Sequence, residues 1–325
     1  MNKAIALLLA AAATAAAAPG FAQSDYPSKP IKLIAPYAPG GSVDVLARTL
    51  ATHLSTELKQ SVVVENRPGA NTMIAASAVA RSPADGYTLL LASNASMVLN
   101  PLLYKKLSYN PDRELKLTNI LAEAPLVLVT NSQTGIKNVA DLKAYSKAHA
   151  GKLNYSSVGL GNPLQLTTEL IKSRLDVAAT HIPFNGSAPA LTALMANDTQ
   201  LMVDVAGTSL PHIKAGKLVA IATTGPERSQ FLPQTPTIAE SGVPGFRAST
   251  WFGIAVPAGT PADARNTLQA AVNKVMLNPE FASALGNQTL AARKPQTQAQ
   301  LDDFLAADGQ MWRKVIADNA IALEN

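Results

Sequence analysis

The sequence predicts an α/β protein of two lobes, and three observations support this prediction. Short apolar runs alternate with amphipathic segments along most of the chain, as in largely parallel sheets covered by helices. The 325 residues are enough for two domains of about 150 residues each. Two apolar segments, Leu126 to Thr130 and Trp251 to Val256, have the pattern of strands that cross between lobes. Lobe one is therefore predicted to hold residues 24–126 and 252–325, and lobe two residues 127–251.

Residues 1–22 are predicted to be a secretory signal peptide. Lys3 precedes an alanine-rich apolar stretch from Ala4 to Ala18, and small residues at Gly20 and Ala22 suit cleavage after Ala22. A membrane anchor is the weaker alternative, because the stretch is shorter than the roughly 20 apolar residues that span a bilayer. We therefore expect the mature chain to be periplasmic.

The first strand and the first helix are joined by a glycine-rich turn. Ile31 to Ala35 has the length of a strand, and the segment after Val43 places leucines at positions 46, 50, 54 and 58, which is helical spacing. The Pro39-Gly40-Gly41 turn leaves the amides at the helix start uncovered, so an anion can bind there. The alternative is a plain helix cap, with Ser42 as N-cap and Asp44 in the first turn. A nucleotide P-loop is not favoured, because the Gly-Lys-Ser/Thr ending is missing.

The alternation continues through the rest of the chain. Further strands are predicted at Val62 to Val64, Tyr87 to Ala92, Leu153 to Ser156, Ala179 to Pro183, Leu201 to Val203 and Leu218 to Ala222. Further helices are predicted at Thr72 to Arg81, after the cap residue Asn138, at Leu164 to Arg174 and at Ala188 to Ala196. From Pro261 onward the chain is predicted to be mostly helical.

A second glycine-rich turn lies in the predicted lobe two. Gly159 and Gly161 follow a short strand, and Asn162 and Pro163 suit the cap and the first position of a helix. A dinucleotide fingerprint needs a third glycine where Leu164 stands, so NAD binding is not favoured. A tight strand-to-helix turn is again the alternative. Two such turns, one in each lobe, can aim helix-start amides into one cleft, and this predicts a carboxylate held between the lobes.

Catalytic patterns are poor. The four histidines lie far apart without metal-ligand spacing, and Tyr155 stands where a nucleophile elbow at Ser157 would need glycine. We interpret His181 as a structural residue at a strand end. Asp204 ends an apolar strand and either faces the cleft or caps the next helix. An exported hydrolase is therefore the less favoured function, and no cofactor or metal is expected.

Composition limits the partners. The formal charge is +5, but Lys and Arg are scattered without the basic stripe that nucleic acid or an anionic membrane requires. The chain has no cysteine, so its fold must rest on its core, which the 47% hydrophobic content supports. A mildly basic surface suits a small anionic ligand.

Several motifs together resemble a known family. They are Tyr26-Pro-Ser-Lys-Pro-Ile, Pro39-Gly-Gly-Ser-Val-Asp, Val64-Glu-Asn-Arg-Pro-Gly-Ala, Pro83-Ala-Asp-Gly-Tyr-Thr-Leu-Leu, Asn154-Tyr-Ser-Ser, Ile182-Pro-Phe-Asn-Gly-Ser-Ala-Pro-Ala and Trp251-Phe-Gly-Ile-Ala-Val-Pro-Ala-Gly-Thr-Pro. In this order they resemble the Bug extracytoplasmic solute receptors, the substrate-binding components of tripartite tricarboxylate transporters.

The resemblance implies a fold and a function. The implied fold is a two-lobed periplasmic binding protein of type II topology, in which each lobe is a Rossmann-like sheet flanked by helices. The implied protein is a monomer without catalysis that passes a small carboxylated solute to membrane permease subunits. The ligand-binding residues implied by the matched motifs are Tyr37, Pro39, Gly41, Ser42, Asp44, Ser93, Ser157, Gly161, Asn162, Gln165, Asn185, Gly186 and Asp204.

Three departures from the family pattern bear on the ligand. Asn71-Thr72-Met73 stands where the family usually has Gly-Gly-Asn, Gln165 where His is common, and Asn185 where Lys is common. We hypothesise that losing His and Lys disfavours a second carboxylate, so that a monocarboxylate or an amide-bearing acid is preferred over citrate. Presentation of the ligand to a sensor kinase, instead of transport, is an alternative output.

Overall fold

The computed structural model describes residues 26–184, 186–318 and 321, and the predicted signal peptide lies outside them. Eleven strands are described: β1 Ile31–Ala35, β2 Val62–Asn66, β3 Thr88–Ser93, β4 Leu115–Ala124, β5 Leu126–Asn131, β6 Asn154–Ser157, β7 Thr180–Pro183, β8 Leu201–Val205, β9 Leu218–Thr223, β10 Thr250–Pro257 and β11 Ala291–Ala292. The α-helices of the same residues are α1 Ser42–Leu58, α2 Met73–Ala80, α3 Asn100–Leu103, α4 Pro111–Glu114, α5 Val139–Ala148, α6 Pro163–Leu175, α7 Ser187–Met195, α8 Ala206–Lys214, α9 Ala262–Met276, α10 Pro279–Asn287 and α11 Gln298–Asp318.

The strands form two sheets with matching topology, one in each lobe. Lobe one carries the order β11-β4-β10-β3-β1-β2, and lobe two the order β7-β6-β8-β5-β9. In each sheet the first helix-connected strand, β1 or β6, lies in parallel between the next two strands of its lobe. The α/β fold of two lobes with helix-covered sheets is as predicted.

Both sheets are mixed, so the prediction of largely parallel sheets was wrong. Strand β10 runs antiparallel to β3 and β4, and β5 runs antiparallel to β8 and β9. A helical crossover brings the chain back to the end of the sheet where the previous strand began, so successive strands are parallel. Strand β5 instead enters its sheet directly from the other lobe and runs in the opposite direction to its neighbours. A buried apolar strand has the same residue pattern in either direction, so the sequence does not reveal its orientation.

The chain passes between the sheets at two neighbouring places. Pro125 alone separates β4 in lobe one from β5 in lobe two, and the return lies between β9 and β10. The two passages are joined by hydrogen bonds: the Thr224 amide donates to the Leu126 carbonyl (3.1 Å), and the Ala248 amide donates to the Thr224 carbonyl (2.9 Å). The strands therefore assign Leu126 to the second sheet and Trp251 to the first, while the lobe boundaries at 126/127 and 251/252 stay a prediction.

The core forms where the amphipathic patterns predicted it. Leu46, Leu50 and Leu54 of α1 are fully buried against sheet one, as their four-residue spacing requires. Each buried leucine contributes about 1.5–3 kcal/mol relative to an exposed one. A second cluster packs α2 and α11 on the other face of this sheet and continues into lobe two. Every described helix is too short or too polar to cross a bilayer.

Candidate ligand-binding cleft

The predicted site residues lie on turns at the carboxyl ends of strands, where α/β sheets place their ligands. The turn between β1 and α1 in lobe one and the turn between β6 and α6 in lobe two both lie at the junction of the lobes. At this junction the lobes are in contact: the side chain of Asn71, from the Ala70–Thr72 turn of lobe one, donates to the Gly161 carbonyl of the lobe-two turn (3.0 Å).

The lobe-one turn is held by Asp44. The Asp44 carboxylate accepts from the Gly40 amide (3.0 Å), from Arg48 Nε (3.0 Å) and from Asn66 Nδ2 (2.9 Å). Burial alone would raise the pKa of Asp44, but these donors, with Arg48 first, hold it below its usual value. The carboxylate therefore stays ionised and fixes the turn, with its charge compensated by Arg48.

The start of α1 leaves donors available. Gly41 is the N-cap and Ser42 is already helical, so the capping role assigned to Ser42 in the alternative interpretation was wrong; Asp44 takes the turn amide instead. Within the described residues, no protein acceptor takes the amide hydrogens of Gly41 or Ser42. Gly41 is exposed, as is Pro39 before it. These amides lie at the positive end of a 17-residue helix, where an anion is favoured.

Tyr37 and Ser93 form a pair beside this helix start. The Tyr37 hydroxyl donates to Ser93 Oγ (3.1 Å), and its ring packs edge-on against Phe252. Burial raises the pKa of Tyr37 to about 12, with the Ser93 hydrogen bond acting in the opposite direction. Tyr37 therefore keeps its proton at neutral pH. Ser93 itself is fully buried at the end of β3.

The lobe-two turn has the predicted cap and one unexpected contact. Asn162 Oδ1 accepts from the Leu164 amide (3.0 Å), and Pro163 occupies the first helical position, which confirms the predicted helix start. Gly161, at φ +73°, has the left-handed backbone that favours glycine. However, Gln165 Oε1 accepts from the Gly161 amide (2.7 Å). This amide, which the two-turn arrangement assigns to the ligand, is therefore bound by the protein itself.

Ser157 and His181 form a pair that sequence analysis did not find. Ser157 Oγ lies 2.6 Å from His181 Nε2, and the imidazole stacks on Tyr155. Burial is the main cause that lowers the pKa of His181. The parallel register of β6 and β7, which sets Tyr155 opposite His181, is the signal that would have brought these residues together. Among the described residues no carboxylate accepts from this imidazole, so a catalytic triad is not assembled.

Asp204 joins two helix starts. Its carboxylate accepts from the hydroxyls of Ser187 (2.7 Å), Thr208 (2.6 Å) and Ser209 (2.7 Å), and it is fully buried. Burial raises the pKa of Asp204 against these three donors. The N-caps of α7 and α8 are Gly186 and Val205, without a side-chain cap bond, so the capping alternative for Asp204 was wrong. The carboxylate instead ties together hydroxyls in the first turns of both helices. Gly186, at φ +118°, is the N-cap of α7, while Asn185 lies outside the described residues.

Gly207 in α8 makes a second approach between the lobes. A Cβ at this position would lie 2.6 Å from the Gln288 carbonyl and 3.1 Å from Ser42 Oγ, both in lobe one. No sequence pattern indicates this contact, because a glycine in a helix start has many causes. Within the described chain no cluster of His, Cys, Asp and Glu could hold a metal ion.

The fold and the cleft define a two-lobed solute-binding receptor. Residues 46–321 match the family described as tripartite tricarboxylate transporter family receptor, and the chain belongs to this family. It is 35% identical to the protein BugT of Bordetella pertussis over 325 residues, which is 100% of this chain and 99% of BugT.

Solved structures agree with this assignment. The R. palustris protein Rpa4515, solved with adipate, is 32% identical, with a TM-score of 0.86 over 91% of this chain and 99% of that one. MatC from Rhodopseudomonas palustris with bound malate is 28% identical, with a TM-score of 0.82 over 90% of this chain and 100% of that one. The family and these neighbours are solute-binding receptors and not enzymes, so the hydrolase alternative is excluded.

Proposed function

We propose that this protein captures a small carboxylate between its lobes and delivers it to the membrane permease of a tripartite transporter. The observation that carries the proposal is the start of α1, where the Gly41 and Ser42 amides have no protein acceptor among the described residues and lie beside lobe two. A carboxylate there gains hydrogen bonds and the favourable field of the helix without a buried cation. Adipate and malate, the ligands named for two structural neighbours, belong to the same chemical class.

Lobe two contributes differently from lobe one in this proposal. The Gly161 amide is bound to Gln165 and the Leu164 amide to Asn162, so lobe two offers its ligand the Ser157 hydroxyl and the start of α7. In lobe one, Tyr37 keeps its proton and donates it to Ser93, so its hydroxyl oxygen can accept a hydrogen bond from a ligand or a water. Water can bridge the remaining polar groups at little cost in affinity. The ligand-binding set named from the motifs, with Asn185 included, stays a prediction.

The ligand class within the carboxylates follows from two neutral side chains. Gln165 and Asn185 carry amides where the family commonly has His and Lys. A second carboxylate would lose a cationic partner at each position, and an amide can still donate to a neutral acceptor. We therefore expect a monocarboxylate or an amide-bearing acid to bind more tightly than citrate, and a calorimetric titration that ranks citrate first contradicts this.

The test is a thermal-shift screen of residues 23–325 against small mono- and dicarboxylates, including adipate and malate, with their amides and phosphates as controls. A rise in Tm confined to carboxylates supports the proposal, and an equal rise with phosphates contradicts it. Gly41→Val is the matched variant, because φ is −83° and the space around the new Cβ is open, so the fold should tolerate it. The introduced side chain would cover the amides and remove the shift, whereas Thr56→Val on the exposed face of the same helix should keep it.

Location and output belong to the same proposal. Export with cleavage after Ala22 is checked by N-terminal sequencing of the protein recovered from the periplasm. The monomeric state is checked by light scattering. Deleting the gene and measuring ligand uptake separates transport from presentation to a sensor kinase, which would leave uptake intact and abolish induction.

A further inference from the structure

The Ala70–Thr72 turn of lobe one has an unusual backbone. The φ angles of Ala70, Asn71 and Thr72 are 44°, 47° and 72°, so three successive residues with a Cβ adopt the left-handed conformation. This region is unfavourable for Ala and for β-branched Thr, and only Asn tolerates it readily. Such strain persists where the surroundings fix it and is concentrated at functional positions.

Lobe one fixes the turn from within. Asn100, which is fully buried, donates to the Asn71 carbonyl (2.8 Å), and its Oδ1 accepts from Asn71 Nδ2 (2.9 Å). The Asn100 amide also lies 3.2 Å from the Tyr109 hydroxyl. The Asn71 side chain is therefore held in one orientation before it meets lobe two.

In that orientation Asn71 reaches the other lobe. Its Nδ2 donates to the Gly161 carbonyl (3.0 Å), and Asn162 Nδ2 lies 3.5 Å from its Oδ1. Beside it, the Tyr104 hydroxyl donates to the Leu160 carbonyl (3.2 Å). We call these hydrogen bonds from Asn71 and Tyr104 to the 160–162 turn the interlobe clasp. The lobe-two groups in the clasp are the Leu160 and Gly161 carbonyls and Asn162 Nδ2, and all of them belong to the turn that precedes α6.

We propose that Asn71 is a positioning residue for ligand binding, which stabilises the closed arrangement of the lobes through the clasp and so raises affinity without touching the ligand. The inference rests on the proposed binding of a ligand between the lobes. For a ligand that binds only the closed form, the apparent affinity is the intrinsic affinity multiplied by the fraction of the protein that is closed. The clasp raises this fraction in the free protein, and it acts at the same turn whose Gly161 amide is bound by Gln165.

The clasp and a merely structural turn predict different results for Asn71→Gly. Glycine relieves the left-handed strain, so a structural role alone would leave the lobes in place and keep or raise Tm. Loss of the clasp instead opens the lobes while Tm is kept. Asn71→Asp is the second variant, since it has the size and left-handed tolerance of Asn but lacks the Nδ2 donor to the Gly161 carbonyl. Asn197→Gly is the matched control, because Asn197 has φ +65° but is exposed, with no side-chain bond to lobe one.

The experiment measures the distance between spin labels in the ligand-free protein. The chain has no cysteine, so Lys106→Cys and Lys143→Cys introduce single label sites on exposed residues of lobe one and lobe two. We expect a closed population in the parent that is lost in Asn71→Gly and Asn71→Asp and kept in Asn197→Gly. Identical distance distributions in the parent and both Asn71 variants overturn the proposal.

A second measurement uses the carboxylate with the largest shift in the thermal screen as probe. Affinity should fall about tenfold in both Asn71 variants, which corresponds to about 1.4 kcal/mol, and should not change in Asn197→Gly. Unchanged affinity overturns the clasp. If no carboxylate binds the parent protein, the proposed function fails, while the distance measurement still decides whether Asn71 holds the lobes together.

Discussion

Substitution of Gly207 by alanine tests whether the lobes meet when the ligand is bound. The new methyl carbon would lie 2.6 Å from the Gln288 carbonyl and 2.9 Å from Thr289 Oγ1. Ordinary contact begins near 3.4 Å, so α8 must withdraw from lobe one by about 0.8 Å. The two contacted residues, Gln288 and Thr289, directly follow α10. Because α10 packs on α1, these residues cannot move away without disturbing the core of lobe one.

The cost falls on the closed form alone. Overpacking of this kind costs about 1–3 kcal/mol, which weakens ligand affinity by a factor of about 5 to 150. In the open form the methyl group meets solvent, and alanine at the second position of α8 is favoured over glycine by less than the roughly 1 kcal/mol of a helix interior, so Tm without ligand should be equal or higher. A loss of affinity without a loss of stability is therefore the expected signature.

Calorimetric titration with the carboxylate found in the screen measures this effect. Gly309→Ala in α11 is the control, because nothing lies within 4 Å of its new Cβ, and its affinity should equal that of the parent. Wild-type affinity in Gly207→Ala would refute the reasoning, since the ligand-bound form could then not contain the contact between α8 and residues 288–289.

Two further predictions concern pH. Burial raises the pKa of Asp308 to about 6 despite the hydrogen bond from Trp251 Nε1 (2.9 Å), so the folded state holds this proton more tightly than the unfolded chain. Stability from this group is present at low pH and is lost as pH rises through about 6, and Asp308→Asn should flatten that part of the curve of unfolding free energy against pH. The pKa of His181 is lowered, chiefly by burial, so its contribution is present above about 6.5 and is lost as pH falls. His181→Gln should remove this acid-side loss in urea unfolding measured from about pH 5 to 8, and an unchanged slope would show that His181 is solvated in the folded protein.

Local chemistry carried the predictions that held. The leucine spacing of α1, the Asn162 cap with Pro163 after it, and the Asn138 cap whose side chain accepts from the Asp141 amide are all short-range features. They depend on residues within about one helical turn, which the sequence displays directly. The two-lobed fold followed from the alternation of such elements together with the family motifs.

Most of the features that were predicted wrongly or not at all depend on contacts between residues far apart in the sequence. Strand direction in both sheets depends on how the chain enters from the other lobe, and no local pattern records it. The hydrogen bond between Gln165 and the Gly161 amide is short-range, but a glutamine in the first turn of a helix can bond to many different groups, so the sequence alone does not predict this one. Asn71 and Gly161 are 90 positions apart, so only the assembled lobes reveal their contact.

The position of β10 bears on the order in which the chain can fold. All eight of its residues are buried, and it lies between β3 and β4 in the middle of sheet one. During synthesis, therefore, lobe one cannot join β3 to β4 in its sheet until residue 257 has emerged, whereas strands β5 to β9 form the other sheet from one continuous segment. The exposed edges of β3 and β4 remain unpaired for the time needed to make about 130 further residues, which at about 5–20 residues per second is on the order of ten seconds. This interval, in which apolar strand edges are accessible, is when the nascent protein is most open to aggregation and to binding by chaperones.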